Sequence, residues 1–367
     1  MDNVTHVFLG AAIAEAVCAP GAVRALSSLD ARGRAAARVL IYFVSVLANN
    51  LPDADLLLIS LTPGALGYLL HHRGHTHVLL AALPLGALAV MAGLTLRTFP
   101  AIRALPMPVW RVVASVAVLG GVAHIAADAM NSYGVHAFWP LSGAWSYGDS
   151  VFIIEPLLWI ALGGYVATRA RSPAARWLPV VLVAGIVAFG LKENLLPWPA
   201  LALQALVAIL VIAGARLFGT ASARPRPRAH AAYGLGLASA IVGTFFLTGA
   251  FARAAVRDRL AVQSARVLDL VSDPLPSNPF CWSFIAVTRR GFGDSGDYVL
   301  TTGRIALLPA LSSLQLCPRR LGEGVPLDKS SFPSDSRVAF DGTWRSAKAF
   351  LEPTGTAATT AVSAVTS

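Results

Sequence analysis

Seven of the eight histidines fall between positions 6 and 136, and five of the nine acidic residues in the first 252 positions fall between 53 and 155. Several stand at spacings that suit a metal ion. His124 and Asp128 are four apart, which on a helix puts an imidazole and a carboxylate on one face, a turn from each other. Pro52-Asp53-Ala54-Asp55 ends a helix and projects two carboxylates. The run His71-His72-Arg73-Gly74-His75-Thr76-His77 adds imidazoles around a glycine that permits a turn. Mixed His/Asp sets suit zinc, manganese or iron, whereas magnesium and calcium prefer oxygen alone. Arg73 is the loop cation nearest to these groups in sequence, and its planar fork matches an anionic oxygen such as a phosphate. His6, Asp149 and Glu155 enlarge the set beyond the needs of one ion, toward a two- or three-metal site. Taken singly, His6 or His136 would read as an interfacial polar residue. Asp149 and Glu155 would read as a loop cap and a charge at a helix start. Taken together, they point to one metal centre.

The elements that must position these residues are membrane helices. The chain is 56% hydrophobic and 13% charged, with a mean hydropathy of +0.64, whereas soluble globular chains carry about 25% charged residues. Such a composition excludes an ordinary cytosolic enzyme, a disordered chain and a nucleic-acid-binding module. A pI near 10.1 reflects arginines in loops, since no basic run is interleaved with aromatics. Spans of about 20 apolar residues are predicted near 4–19, 39–61 (breaking at Pro52), 77–96, 110–130, 151–168, 177–195, 198–215 and 233–252, eight in all. The loops after the first, third, fifth and seventh spans hold fourteen arginines, against Arg73 and Lys192 in those after the second, fourth and sixth. By the positive-inside rule both termini then lie outside. His6, Asp53, Asp55, the 71–77 histidines, His124, Asp128, Asp149 and Glu155 all fall at outward-facing span ends. An ionisable group at membrane depth costs about 2.5–3.5 kcal/mol on insertion scales, so such a gathering reads as functional.

Residues 253–367 differ in character: they carry 23 charged side chains in 115 positions, nearly the 25 found in the first 252. The predicted organisation is a helical membrane domain at 1–252, a soluble α+β domain at 253–355 and a disordered tail at 356–367. Residues 253–266 read as an amphipathic continuation of the last span. The runs 281–287 and 297–302, separated by a Gly/Asp turn at 291–296, read as β-strands of a small extramembrane domain. Cys281 and Cys317 could pair there or remain as two buried thiols, with Cys18 left in the membrane part. The fold class is thus mainly α, a polytopic bundle of about eight hydrophobic helices with a small C-terminal β-rich domain.

Thr5-His6 with Gly10, Leu51-Pro52-Asp53-Ala54-Asp55, His72-Arg73-Gly74-His75-Thr76-His77, and His124 with Asp128 and Asn131-Ser132-Tyr133-Gly134 occur in this order, followed by Trp139-Pro140, Asp149 and Glu155-Pro156. Over roughly residues 1–160 this pattern resembles the YdjM-like membrane-bound metal-dependent hydrolases. A segment like Pro276-Ser277-Asn278-Pro279-Phe280-Cys281-Trp282 occurs in members of that family with a C-terminal extension. In motif order the family is similar to the zinc-dependent phospholipase C and single-strand nuclease superfamily. That resemblance carries metal-ligand roles to His6, Asp55 or Asp53, His75 or His77, His124 and Asp128. Val151 stands where the superfamily pattern has a further histidine, and no N-terminal tryptophan is present, so two metals rather than three are implied, zinc first, with manganese or iron as alternatives.

The expected function is metal-activated hydrolysis of a phosphoester in a membrane lipid or lipid-linked substrate, in a bacterial inner membrane and at its outer interface. His6, Asp55, His72, His75, His77, His124, Asp128, Asp149 and Glu155 are the candidate ligands. Asp53 is the candidate base, unless Asp55 takes that role, and Arg73 the candidate anion clamp. No nucleic-acid partner is expected, and the C-terminal domain offers a surface for an unidentified one. A metal or proton transporter and a metal-stabilised scaffold are the rival classes.

Overall fold

The computed structural model describes residues 1–62, 72–170, 172–219, 222, 224–262, 266–290, 297–317, 328, 330 and 332–346. His71, the 291–296 turn and the 356–367 tail lie outside the described residues. The chain forms two compact units. One comprises Met1–Gly148, Ile153–Ala188 and Leu203–Ile241, the other Asp149–Phe152, Phe189–Ala202 and Val242–Ser367.

The first unit is helical. Helix α1 (Asn3–Val17) starts where the Asp2 carboxylate accepts from the Val4 and Thr5 amides, satisfying two of the amides a helix start leaves open. Helix α2 (Ala31–Ala48) ends at Asn49, and Pro52 opens a tighter 3-10 run, Pro52–Leu61. The two segments bend by 48° at that break, as expected where proline cannot continue the ladder but suits a helix's first position. Helices α3 (Ala82–Thr95) and α4 (Met107–Asp128) follow. They pack with α1 and α2 around Leu40, Ile41, Val44, Ala89, Val113 and Ala117. Two glycines set how closely these helices approach. A Cβ on Gly10 would lie 2.9 Å from the Ser45 carbonyl oxygen and Val46 Cα, and one on Gly120 would lie 2.8 Å from Asn49 Nδ2. Small residues at such crossings are what allow membrane helices to pack without a hydrophobic driving force. Gly10 is one turn after His6 and Gly120 one turn before His124, so both histidines are held close to the end of α2.

Among the described residues five helices are long and apolar enough to cross a membrane, Leu79–Thr98, Met107–Asp128, Pro173–Lys192, Trp198–Phe218 and Pro227–Ala261, and the bent α2 pair makes a sixth if it is one span. The two other predicted spans form shorter helices. At 15 residues α1 is about 22 Å long, below the ~30 Å hydrocarbon core. The 151–168 span becomes Pro156–Leu158, a π-helical turn Trp159–Gly163, and Gly164–Arg169. Glu155 caps it and Pro156 opens it, which fixes its late start. These two short helices pack on each other, with Phe8 edge-on to Trp159 at 6.2 Å. Their apolar residues therefore face protein, which hydropathy alone does not distinguish from lipid.

In the second unit the end of Pro227–Ala261, 35 residues in all, carries Arg253, Arg257 and Arg259 without interruption. An antiparallel sheet follows in the order β1 (Arg266–Leu275), β2 (Asn278–Arg290), β3 (Asp297–Ala306) and β4 (Val338–Ser346). The turn between β1 and β2 places Ser277 at φ 58°. Asn278 Nδ2 donates to Ser312 Oγ at 2.9 Å, and the buried Trp282 indole donates to the Pro279 carbonyl at 2.7 Å. Arg304 grips Asp341 through Nε and Nη2, both at 3.0 Å, while its Nη1 donates to the Leu314 and Cys317 carbonyls. That bracing holds the segment in which Cys317 is disulfide-bonded to Cys281.

Candidate metal centre

Four elements end at one place in the first unit. The start of α1 brings His6, the 3-10 run brings Asp53 and Asp55, the segment before α3 brings His72, Arg73 and His77, and the end of α4 brings His124 and Asp128. Asp53, His77, His124 and Asp128 form one group, and Asp53, Asp55 and His72 a second, in each of which the candidate ligand atoms all lie within 4.8 Å of one another. Asp53 belongs to both.

Hydrogen bonding orients the two imidazoles of the first group. His124 Nδ1 lies 2.7 Å from the Asn49 carbonyl oxygen and must donate to it, which leaves the Nε2 lone pair facing inward. His77 Nδ1 lies 3.0 Å from the Thr76 hydroxyl, whose own proton goes to Asp55 Oδ2 at 2.6 Å, so this Nδ1 also carries the hydrogen. The two Nε2 atoms meet at 3.1 Å. His77 Nε2 lies 3.2 Å from Asp53 Oδ1 and 3.2 Å from Asp128 Oδ2; for His124 Nε2 the distances are 3.6 and 3.8 Å. All four residues are buried, three of them completely. Electron-rich atoms converging in a dry space repel unless a cation, a metal ion or a proton, lies among them. Their separations bracket the ~3.4 Å edge of a tetrahedron with bonds of about 2.1 Å, and a second-shell carbonyl or hydroxyl on each Nδ1 is how metal-ligating histidines are fixed. The donor set therefore fits a divalent transition metal.

The second group is more committed to hydrogen bonds. Asp55 accepts from His72 Nδ1 at 3.0 Å, the Arg73 amide at 2.9 Å and Thr76 Oγ1, and His72 Nε2 accepts from Arg73 Nε at 3.3 Å. Arg73 is itself buried, at φ 62°. The left-handed turn thus falls on Arg73 and not on Gly74, where the sequence suggested it. Its Nη1 donates to Asn131 Oδ1 and the Gly134 carbonyl, both at 3.1 Å, and its Nη2 lies 2.9 Å from Asp128 Oδ2.

The remaining candidates are placed as follows. His6 is buried, with Nε2 3.2 Å from Asp128 Oδ1 and its ring stacked on His124 at 3.7 Å. It borders the first group rather than belonging to it, and its Nδ1 has no hydrogen-bond partner. The buried Met1 α-amine also pairs with Asp128. His75 is exposed, 5.3 Å from the Trp139 ring, and joins neither group. Buried Glu155 caps a helix through the Leu157 amide at 2.9 Å. Asp149 belongs to the second unit, where Arg253 Nη1 donates to its carbonyl at 2.9 Å. Burial pushes the Asp149 carboxyl up to about 6, against the opposing pull of Arg253. His136 donates through Nε2 to the Gly74 carbonyl and stacks on Trp145 at 4.6 Å.

The groups that support these ligands leave little mark in the sequence. Asn49 contributes a backbone carbonyl, which leaves no mark in a sequence. Thr76 and Asn131 lie inside the quoted motifs, but as spacers, and their polar side chains beside charged candidates were the available signal. Asp2 and Thr5 were equally silent: Thr5 Oγ1 donates to Asp2 Oδ2 at 2.5 Å and accepts from the Trp159 indole at 2.9 Å, which ties down the start of α1.

The family model for the YdjM inner membrane protein matches residues 1–195, just over half of the chain and all of this centre. No curated protein and no solved structure gives a match.

Proposed function

The chain belongs to the YdjM inner membrane protein family and is a multi-pass inner-membrane protein; on that premise we propose that it is a metal-dependent hydrolase acting on a phosphoester of a membrane lipid or lipid-linked substrate. The observation that carries this reading is the pair of inward-facing Nε2 lone pairs at 3.1 Å, enclosed by Asp53 and Asp128. Asp53, His77, His124 and Asp128 would hold one ion, zinc being the best match to the donor set; Asp53, Asp55 and His72 would hold a second once the His72 hydrogen bond to Asp55 or to Arg73 is given up. A bound divalent ion supplies Lewis acidity, polarising a phosphoryl oxygen and acidifying a coordinated water.

The chain's own groups supply the rest. Whichever of Asp53 and Asp55 is not taken up as a metal ligand would be the proton acceptor; Asp55 already accepts three hydrogen bonds, and Asp53 stands in both ligand groups. Arg73 donates three guanidinium hydrogens, to His72, Asn131 and Gly134, which fixes the plane of the fork, and its Nη2, ion-paired with Asp128, would face a substrate oxygen. The adjoining segment exposes Phe138, Trp139, Trp145 and Tyr147, residue types that favour the membrane interface, so a lipid substrate would meet the centre from the leaflet. By the loop charges of the eight-span reading, that leaflet would be the outer one.

The test is hydrolysis by purified protein supplied with zinc or manganese, offered a phospholipid, a lipid pyrophosphate and a generic phosphodiester. Turnover of one of them, lost in His124→Ala with the fold retained, supports the enzyme; no turnover of any opposes it. The complete burial of His77, His124 and Asp128 also suits a metal that only ties helix ends together. Loss of the fold, rather than of turnover alone, in His124→Ala and Asp128→Ala would favour that scaffold.

A further inference from the structure

A second polar cluster lies at the far end of α1 from the metal centre. Glu15 is completely buried, and it lies nine positions after His6, about 13.5 Å along the helix. Arg38 of α2 grips Glu15 through both Nη atoms, with Nη1 to Oε2 at 3.1 Å, and Tyr42 donates its hydroxyl to the same carboxylate. Arg169 Nε reaches Glu15 Oε2 from a third helix at 3.5 Å. One carboxylate thus faces two guanidiniums whose side chains are only 20% and 12% exposed.

These two arginines and Arg34 line a cavity of about 530 Å³. No acidic residue lines it among the described residues. Gly21, at φ 73°, forms part of its wall, and the Arg228 guanidinium packs so closely over Gly21 that a Cβ there would collide with it. Three arginines therefore line one open volume, with a single carboxylate behind it, and a fourth, Arg228, packs on its Gly21 wall. Arg38 and Arg169 share the one Glu15 carboxylate, whereas Arg34 and Arg228 are exposed; two partly desolvated cations against one anion are unfavourable unless a further anion joins them, and guanidinium forks match phosphate oxygens in geometry and charge.

We propose that this arginine-lined cavity binds a phosphate-bearing anion, separately from the metal centre. Two sources share that chemistry: the headgroup of an anionic phospholipid, since basic pockets between membrane helices take such headgroups, and free phosphate. Arg38 and Arg169 are pinned by Glu15, while exposed Arg34, which donates to the Leu29 carbonyl, and exposed Arg228, which packs on Gly21, make no contact with the buried carboxylate and can be changed without uncovering it.

The experiment titrates detergent-purified, chelator-stripped full-length protein with dihexanoyl phosphatidylglycerol, dihexanoyl phosphatidylcholine and inorganic phosphate, reading adducts by native mass spectrometry and melting temperature. Wild type is expected to saturate with phosphatidylglycerol or phosphate and not with phosphatidylcholine. Arg34→Gln/Arg228→Gln should weaken that binding about tenfold or more, the effect of losing charge-assisted contacts, while Arg34→Lys/Arg228→Lys restores most of it. Saturation by phosphatidylglycerol alone identifies a lipid headgroup; equal saturation by phosphate identifies the free anion; either supports the site. Absence of saturation by both, equal binding of phosphatidylcholine, or wild-type affinity in the Gln/Gln protein overturns it. Should the Gln/Gln protein fail to fold, the phosphatidylcholine comparison and the Lys/Lys protein still decide.

Discussion

His124 works through both of its nitrogens: Nδ1 is spent on the Asn49 carbonyl so that Nε2 can face Asp53, His77 and Asp128. Thr76 serves His77 in the same way, and so Thr76→Val should weaken zinc binding about 10- to 100-fold without removing a ligand, read by chelator competition. Asp149 gives the opposite expectation. Its carboxyl is raised to about 6, chiefly by burial, so the folded state holds the proton more tightly than the unfolded chain. Stability should then fall as pH rises from about 4 to about 6 and level off above. Asp149→Asn should remove that slope and gain about 1 kcal/mol at pH 7, after allowance for solvent screening, with metal content unchanged. Asn also tolerates the left-handed backbone there, at φ 45°. Thermal unfolding across pH, paired with metal analysis, checks both parts. The pair His124/Asp128 was legible because a helix turns spacing into geometry. The 71–77 run has no such period, so the sequence could not tell that His72 and His77 turn inward and His75 outward. The deciding turn falls on Arg73, a residue that disfavours that backbone and is held there by its own bonds to Asp55, Asn131 and Gly134.

At the scale of elements, the centre depends on how closely α1, α2 and α4 approach. Gly10→Val would push against the Ser45 carbonyl and Val46 backbone, and should destabilise the protein by about 1–3 kcal/mol while lowering metal affinity, although Gly10 touches no candidate ligand. Unfolding in detergent and chelator competition on the same sample would show both. The break after α2 was legible from Pro52, and the long apolar helices from hydropathy. The depth of α1 and of Pro156–Arg169 was not, because a helix buried against another helix is as apolar as one facing lipid. Glu155 shows the same limit: alone, a carboxylate before a proline reads as a charge at a helix start, with its polar neighbours it reads as a ligand, and in the structure it caps the helix through the Leu157 amide.

For the molecule as a whole, composition marked a change of character at residue 252, whereas the two compact units part at 241/242, inside the Pro227–Ala261 helix, and the second also takes in 149–152 and 189–202. Sequence-distant segments that join a unit leave no compositional trace. The Cys281–Cys317 bridge, open in the sequence, is formed. It closes 36 residues, and a loop of that length is worth about 3–4 kcal/mol in the chain-entropy account. Alkylation of the denatured, unreduced protein should therefore add mass at Cys18 alone, with two further adducts after reduction; three adducts without reductant would deny the bridge. The hydrolysis proposed for this protein depends on a metal ion held by the buried His/Asp cluster. The most direct measurement is the metal content per chain of wild-type and His124→Ala/Asp128→Ala protein, purified without chelator and matched for fold by circular dichroism. One to two equivalents of zinc, manganese or iron in the wild type and less than a tenth of that in the variant is the expected result, on the order of what losing two ligands does to such a site. Equal metal content in the two folded proteins, or none in the wild type even after reloading, would contradict it.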